Sequence, residues 1–97
     1  MKRISRPENT EEAEIIALNA LGFLASDPDR MKRFLDLSGL SPDAIRAGAS
    51  DPAFLGGLLD YLLADQTLLL IFAEEQGQKP EHIGQLRRKL PGAALDF

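Results

Sequence analysis

An almost unbroken apolar stretch between Asp51 and Gly77 constrains the fold of this chain more than any other feature. Within it, Leu68 to Ala73 are six consecutive apolar residues. Successive residues lie about 100° apart around a helix axis, so six of them cover every face of the helix. Such a helix has to be surrounded by its own chain or by a second one. We therefore predict that this helix is the central and most buried helix of the protein.

The same stretch contains a predicted helix break at Ala64-Asp65. Aspartate is a favoured N-cap residue, because its side chain accepts hydrogen bonds from the free N–H groups of a helix start. Two helices are therefore predicted, one that starts at Asp51-Pro52 and runs to Leu63, and one over residues 66–76. The stretch is long enough to cross a bilayer, but acids such as Asp60 and Asp65 cost about 2.5–3.5 kcal/mol each at its centre. A helical core in a cytoplasmic protein, with no membrane partner, is the favoured interpretation.

Start and stop signals predict four more helices. Asn9 is the predicted N-cap of the first helix, with Glu12 completing a capping box, and this helix runs to Ala25. Asp27-Pro28 starts the second helix and Gly39 ends it, since glycine readily adopts the left-handed C-terminal conformation. Met31, Phe34, Leu35 and Leu37 form the predicted inner face of that helix. The third helix runs from Pro42 to Gly48, and the last runs from Pro80 to Pro91-Gly92.

No segment alternates apolar and polar residues with a period of two, so no strand is predicted. The fold class is therefore all-α: a single-domain six-helix bundle over residues 9–92. A mobile basic tail over residues 1–8 and an apolar C-terminal tail over residues 93–97 are expected on either side of it.

A constant shift of 38 positions relates the two halves of the chain. It places Phe23 on Tyr61, and it superimposes helix caps, glycine stops and core anchors in the same way: Asp27 on Asp65, Phe34 on Phe72, Gly39 on Gly77, Pro42 on Pro80 and Ile45 on Ile83. Two copies of a three-helix unit, over residues 12–49 and 50–87, would produce this pattern. Any chain of capped helices separated by glycine turns also shows such coincidences, so both interpretations stay open.

Composition and charge exclude several classes of protein. The chain is 44% hydrophobic and 27% charged, as is usual for a soluble globular domain. The absence of cysteine excludes a disulfide framework and a cysteine metal site. The net charge of −4 disfavours general attraction to nucleic acid.

Two segments nevertheless resemble helix-turn-helix motifs, at Leu35 to Ile45 and at Ala73 to Ile83. The cations that would serve them are Arg46 in the first copy and Arg87, Arg88 and Lys89 in the second. Basic residues also cluster at Lys2, Arg3 and Arg6 and at Arg30, Lys32 and Arg33, where convergence in space would create a phosphate site. A glycine stop followed by a capped helix explains the motif residues equally well, and a solvated face explains the cations of the second helix.

Catalytic groups are scarce. His82 is the only histidine, and a surface position explains it better than a role as base or ligand. Asp60 is expected on the outer face of its helix; if it were buried, its pKa would rise and it would become a site candidate. We therefore predict no enzyme, no cofactor and no metal.

The residues Asp60-Tyr61-Leu62-Leu63-Ala64-Asp65, the run Leu68 to Ala73, Gly77, Pro80 and Leu90-Pro91-Gly92 together resemble a family of small uncharacterised alpha-proteobacterial proteins, known as a domain of unknown function. The resemblance extends from about Glu12 over most of the chain. It implies a cytoplasmic helical domain and supplies no catalytic residue, cofactor or partner.

The function predicted from these features is a small helical protein-interaction module that binds a protein partner or forms a homo-oligomer. Its partner surface is expected beside the apolar helix and to include Tyr61, Leu95 and Phe97. The alternative is a nucleic-acid-binding regulator that uses Arg46, Arg87, Arg88 and Lys89.

Overall fold

A computed structural model describes residues 8–92 of the chain and the side chains of residues 10–92. This part contains six helices and no strand: α1 (Glu8–Ala25), α2 (Pro28–Ser38), α3 (Pro42–Gly48), α4 (Pro52–Leu63), α5 (Gln66–Gln76) and α6 (Pro80–Arg87). The predicted all-α six-helix architecture is confirmed. The predicted tails fall outside the described residues, except for Glu8, which belongs to α1.

Most helix ends follow from local hydrogen bonding. N-cap side chains begin four of the helices: Asp27 for α2, Ser41 for α3, Asp51 for α4 and Asp65 for α5. The Asp65 carboxylate, for example, accepts a hydrogen bond of 3.1 Å from the backbone N–H of Leu68. Gly39 and Gly77 end α2 and α5 in the left-handed conformation, with φ of 73° and 66°, which costs an L-residue energy and glycine none.

Two predicted ends are wrong. The first helix begins at Glu8, so Asn9 lies inside its first turn and is not the N-cap. Acidic residues favour the positive end of a helix dipole, which accounts for the earlier start. At the other end of the chain, α6 stops at Arg87, and residues 88–90 continue with N–H bonds to carbonyls three residues back. Pro91 lacks the N–H that would extend the α pattern to the carbonyl of Arg87.

The centre of the bundle is α4 and not α5, so the prediction for the apolar helix is wrong. The helix α4 contacts α1, α3, α5 and α6, and seven of its residues are buried: Leu55, Gly56, Gly57, Leu58, Leu59, Tyr61 and Leu62. In α5 only Phe72 and Ala73 are buried, while Leu70 and Ile71 remain 47% and 37% exposed. The chain bends by 113° between α4 and α5. Because of this bend, α5 packs against the rest of the bundle through one face only.

The two halves of the chain form contacts that are related by the 38-residue shift. Phe23 packs on Phe72 with ring centroids 5.3 Å apart, and Tyr61 packs on Phe34 with centroids 4.9 Å apart. Each pair joins the first helix of one unit to the second helix of the other. Likewise, the third helix of each unit packs on the first helix of the other: α3 on α4, and α6 on α1. These contacts follow the same shift of 38 positions as the sequence pattern, and the two-unit interpretation stays a hypothesis.

Among the described residues, no single helix is both long and apolar enough to cross a membrane; the bent pair α4–α5 meets that length and composition only when its two helices are taken together.

Candidate functional site

Arg87, a predicted nucleic-acid residue, is buried and fully engaged within the protein. Its Nε lies 2.7 Å from Oδ1 of Asp60, and both side chains are 11% exposed. Its Nη1 donates to the carbonyl of Leu90 at 2.9 Å, and its Nη2 donates to the carbonyl of Gly92 at 3.0 Å. These contacts direct the guanidinium inward, away from the surface on which a nucleic acid would bind. A buried guanidinium has to be paired and hydrogen-bonded, and here α4 and the turn after α6 supply those partners.

Asp60 was expected on the outer face of α4. In the structure it points instead at Arg87. Gly56 lies one helical turn before it on the same side of α4, and a Cβ at Gly56 would lie 2.9 Å from Nη1 of Arg87. The glycine therefore leaves the space that the guanidinium fills. The sequence contained this signal: an acid one turn after a glycine, in an otherwise apolar helix, needs a nearby cation.

The remaining predicted nucleic-acid residues are exposed but dispersed. Arg46 is paired with Asp43 one turn away on the surface of α3. Arg88 and Lys89 line a shallow depression of about 370 Å³ together with His82. His82 itself lies 3.2 Å from Glu12 of α1. No group of three or more histidine, aspartate or glutamate side chains in the described part of the chain is arranged to hold a metal ion.

A surface cavity lies between α2 and the junction of α4 with α5. This Tyr61 groove has a volume of about 770 Å³ and is lined by Asp29, Arg30, Lys32, Arg33, Asp36, Leu37, Tyr61, Asp65, Thr67 and Leu68. A smaller adjoining depression extends it to Ala64 and Gln66. The cation cluster of α2 is thus assembled beside a predicted partner residue, Tyr61, rather than on a featureless solvated face.

Tyr61 forms the floor of the groove. Its ring is buried against the edge of Phe34, and Arg33 lies near enough to its hydroxyl group to affect its pKa. Burial raises the pKa of Tyr61 above its ordinary value of 10.0; Asp65 adds to this effect, and Arg33 opposes it. The phenol is therefore neutral over the physiological range and offers a hydroxyl group to the groove.

The cations of the groove differ in whether a carboxylate lies close to them. Arg30 lies over the ring of Phe23, with its Cζ 4.3 Å from the ring centroid, and 3.8 Å from a carboxylate oxygen of Asp27. Lys32 pairs with Asp36 at 2.9 Å, and this hydrogen bond raises the pKa of Lys32. Within the described part of the chain, Arg33 lies near the Tyr61 hydroxyl and has no carboxylate at ion-pair distance. Among the described side chains of the groove, Arg33 is therefore the cation that remains open to an anion.

Leu37 supplies an apolar wall of the groove and is 54% exposed. Its predicted place on the inner face of α2 is wrong: Phe34 is buried, while Met31 and Leu35 are partly buried. The other two predicted partner residues, Leu95 and Phe97, lie outside the described residues.

These observations define a small all-α domain that presents an open groove of mixed charge beside a buried tyrosine. The chain belongs to the family described as protein of unknown function DUF3572, whose model matches residues 10–93. No curated protein and no solved structure matches this chain.

Proposed function

We propose that this domain is a protein-interaction module and that the Tyr61 groove binds a segment of a partner protein. The observation that carries the proposal is the composition of the groove, with a tyrosine floor, leucine walls and an arginine rim. Tyrosine and arginine are enriched among the residues that contribute most to protein–protein binding, particularly near the centre of an interface.

Arg33, which has no carboxylate at ion-pair distance among the described residues, indicates the chemistry of the partner segment. A guanidinium binds a carboxylate through charge-assisted, often bidentate hydrogen bonds. Exposed Leu37 offers contact to an apolar side chain. We expect a segment that carries an apolar residue next to an aspartate or glutamate, the apolar side chain resting on Leu37 and Leu68 while the carboxylate reaches Arg33.

The chain itself contains such a composition at Leu95-Asp96-Phe97. If the partner is a second copy of the protein, its Leu95 and Phe97 are the apolar residues that would bind the groove. The proposal includes a cytoplasmic location in an alpha-proteobacterial cell, as the family resemblance implies, and a binding role rather than an enzymatic one.

The test compares partners recovered from native cells with tagged wild-type protein and with Arg33→Glu and Leu37→Gln variants. Arg46→Glu is the matched control, because it reverses an exposed cation on α3, away from the groove. A protein that wild type and control recover, and that both groove variants lose, supports the proposal. A partner recovered equally by all four contradicts it.

Light scattering on the purified chain, with and without residues 93–97, separates a second copy from another protein. Self-association that requires these residues and is abolished by Arg33→Glu identifies the tail of a second copy as the groove's occupant.

A nucleic-acid-binding regulator is the alternative function. With Arg87 buried, it would rest on Arg46, Arg88 and Lys89. We expect no tight, sequence-specific DNA binding near physiological salt, and a gel-shift series would reveal any such binding.

A further inference from the structure

Another depression of the surface lies beside α6 and the turn that follows it. It has a volume of about 370 Å³ and is lined by His82, Gln85, Leu86, Arg88 and Lys89. We call it the α6 depression. Gln85, Arg88 and Lys89 are exposed, whereas Leu86 is buried. The depression therefore presents two cations and one amide group to solvent, above a small apolar surface.

The two cations of the α6 depression have no carboxylate at ion-pair distance among the described residues. No acidic side chain from that part of the chain lines the depression either. By contrast, three acids line the Tyr61 groove: Asp29, Asp36 and Asp65. In a chain whose net charge is −4, the α6 depression is therefore a local site of positive charge.

Glu12 of α1 is an acid beside the depression, and it is in contact with His82. Nε2 of His82 lies 3.2 Å from Oε2 of Glu12, and Nδ1 of the same ring lies 3.4 Å from Oε1 of Gln85. Glu12 is not among the residues that line the depression. The imidazole ring therefore stands between the carboxylate of Glu12 and the side chain of Gln85.

The dipole of α6 does not account for the two cations. Cations near the C-terminus of a helix are usually favoured by its free carbonyl groups. Here the N–H groups of residues 88–90 donate to carbonyls three residues back, and the buried side chain of Arg87 donates to the carbonyls of Leu90 and Gly92. The guanidinium of Arg87 thus already supplies positive charge at this end of α6. The two exposed cations remain available to a ligand.

The groups of the α6 depression are those that bind phosphate. Arginine binds a phosphate group through bidentate hydrogen bonds, and lysine binds it as a point charge. The amide N–H groups of Gln85 add a neutral donor. The volume is near the lower end of the range for small-molecule sites, about 300–1,000 Å³. The matching ligand is therefore a small molecule.

We propose that the α6 depression binds a small phosphorylated molecule. Its phosphate contacts Arg88, Lys89 and the amide of Gln85, and its organic part rests on Leu86. The depression shares no residue with the Tyr61 groove. The proposal therefore goes beyond the groove-binding function and does not depend on it.

The test titrates inorganic phosphate, and then phosphoserine as a small phosphate monoester, into the full-length protein and follows the binding by NMR. His82 is the only histidine, so its ring signals report on the edge of the depression. At constant pH and ionic strength, both probes should shift these signals and the backbone amide signals of residues 85–89 until they saturate. Acetate should bind about tenfold more weakly, because it has less charge and fewer acceptor oxygens.

Arg88→Gln and Lys89→Gln should each weaken the binding of phosphate by about tenfold, since each removes charge-assisted hydrogen bonds. Arg46→Gln is the matched control, because it removes an exposed arginine from the last turn of α3 and changes the net charge equally. It should leave the affinity unchanged, as should Arg33→Gln in the groove. Failure of the groove proposal is thereby separated from failure of this one. The NMR spectrum verifies that each variant is folded.

Absence of saturable shifts with both probes would overturn the proposal. So would equal weakening by Arg46→Gln, which would indicate attraction by net charge alone, or equal binding of acetate. A short DNA duplex that binds more tightly than phosphoserine, and that loses this affinity in Arg88→Gln, would assign the cations to nucleic acid instead.

Discussion

Gly56 of α4 and Arg87 of α6 are in contact so close that no other residue fits at position 56 without movement. A Cβ there would lie 2.9 Å from Nη1 of Arg87, 3.0 Å from its Cζ and 3.1 Å from the carbonyl oxygen of Pro91. The guanidinium is held on its other sides by Asp60 and by the carbonyls of Leu90 and Gly92. It therefore has little freedom to move away.

Gly56→Ala should consequently destabilise the protein by about 1–3 kcal/mol, the usual cost of overpacking. Gly22→Ala is the matched control, since Gly22 also lies within a helix but has open space around it. Alanine there should stabilise the fold by about 0.5–1 kcal/mol, because glycine loses more backbone entropy on folding. Urea denaturation measures both changes. Equal effects of the two substitutions would contradict the close contact.

Removing either member of the Asp60–Arg87 pair should be strongly destabilising. Both side chains are largely buried, and an unpaired buried charge costs about 3–5 kcal/mol. Arg87→Leu and Asp60→Leu should each fall in this range, and the double variant should lose less than the two losses added together. Arg88→Ala, at the exposed neighbouring position, should stay within about 0.5 kcal/mol. A strictly additive double variant would show that the two groups do not interact.

The helix caps predict one loss and one gain of stability. Asp65→Ala removes the cap of α5 and should cost about 1 kcal/mol. The N-cap position of α6 is occupied by Lys79, which makes no side-chain cap bond, whereas the equivalent position of α3 carries the capping residue Ser41. Lys79→Ser should therefore stabilise the protein by roughly 0.5–2 kcal/mol. Thermal melts measure both variants, and a destabilised Lys79→Ser would refute the capping argument.

The ionisation of Tyr61 can be followed directly, because it is the only tyrosine and the chain has no tryptophan. Tyrosinate absorbance in the folded protein should show a pKa above 10.0, raised mainly by burial. Arg33→Ala should raise this pKa further, since Arg33 opposes the shift, and Asp65→Asn should lower it. The urea-unfolded chain should titrate near 10. A folded midpoint at or below 10 would contradict the buried position of the phenol.

This pKa shift also gives stability a pH dependence of definite sign. The folded state holds the phenol proton more tightly than the unfolded chain does. The free energy of unfolding therefore keeps this contribution below pH 10 and loses it as the pH rises above 10 through the folded-state pKa. Tyr61→Phe should remove that part of the slope, and an unchanged alkaline slope in this variant would contradict the linkage.

Local signals in the sequence identified nearly all of the helix ends, because caps, prolines and glycine stops act within a few residues. Asp27, Asp65, Gly39 and Gly77 all have the predicted roles. The burial of α5 was not predictable in the same way. How much of an apolar helix is buried depends on which of its faces the neighbouring helices can reach. The bend after Leu63 leaves Leu70 and Ile71 at the surface.

The candidate site was predictable in part. Tyr61 and the cations of α2 were recognised separately, but their juxtaposition depends on the packing of α2 beside the α4–α5 junction, which local sequence does not encode. Arg87 was assigned to a surface role because adjacent cations at a helix end usually face water. In the structure Arg87 instead pairs with Asp60, which is distant in the sequence, and its side chain is buried.

The exchange of aromatic contacts between the two halves has a consequence for how the protein is made. As the chain leaves the ribosome, Phe23 and Phe34 emerge long before their partners Phe72 and Tyr61. Neither half can close its own aromatic core, so the first three helices have to wait until α5 has been synthesised. Chaperones would encounter a nascent chain whose α1 exposes its inner face until α5 has followed it out of the ribosome.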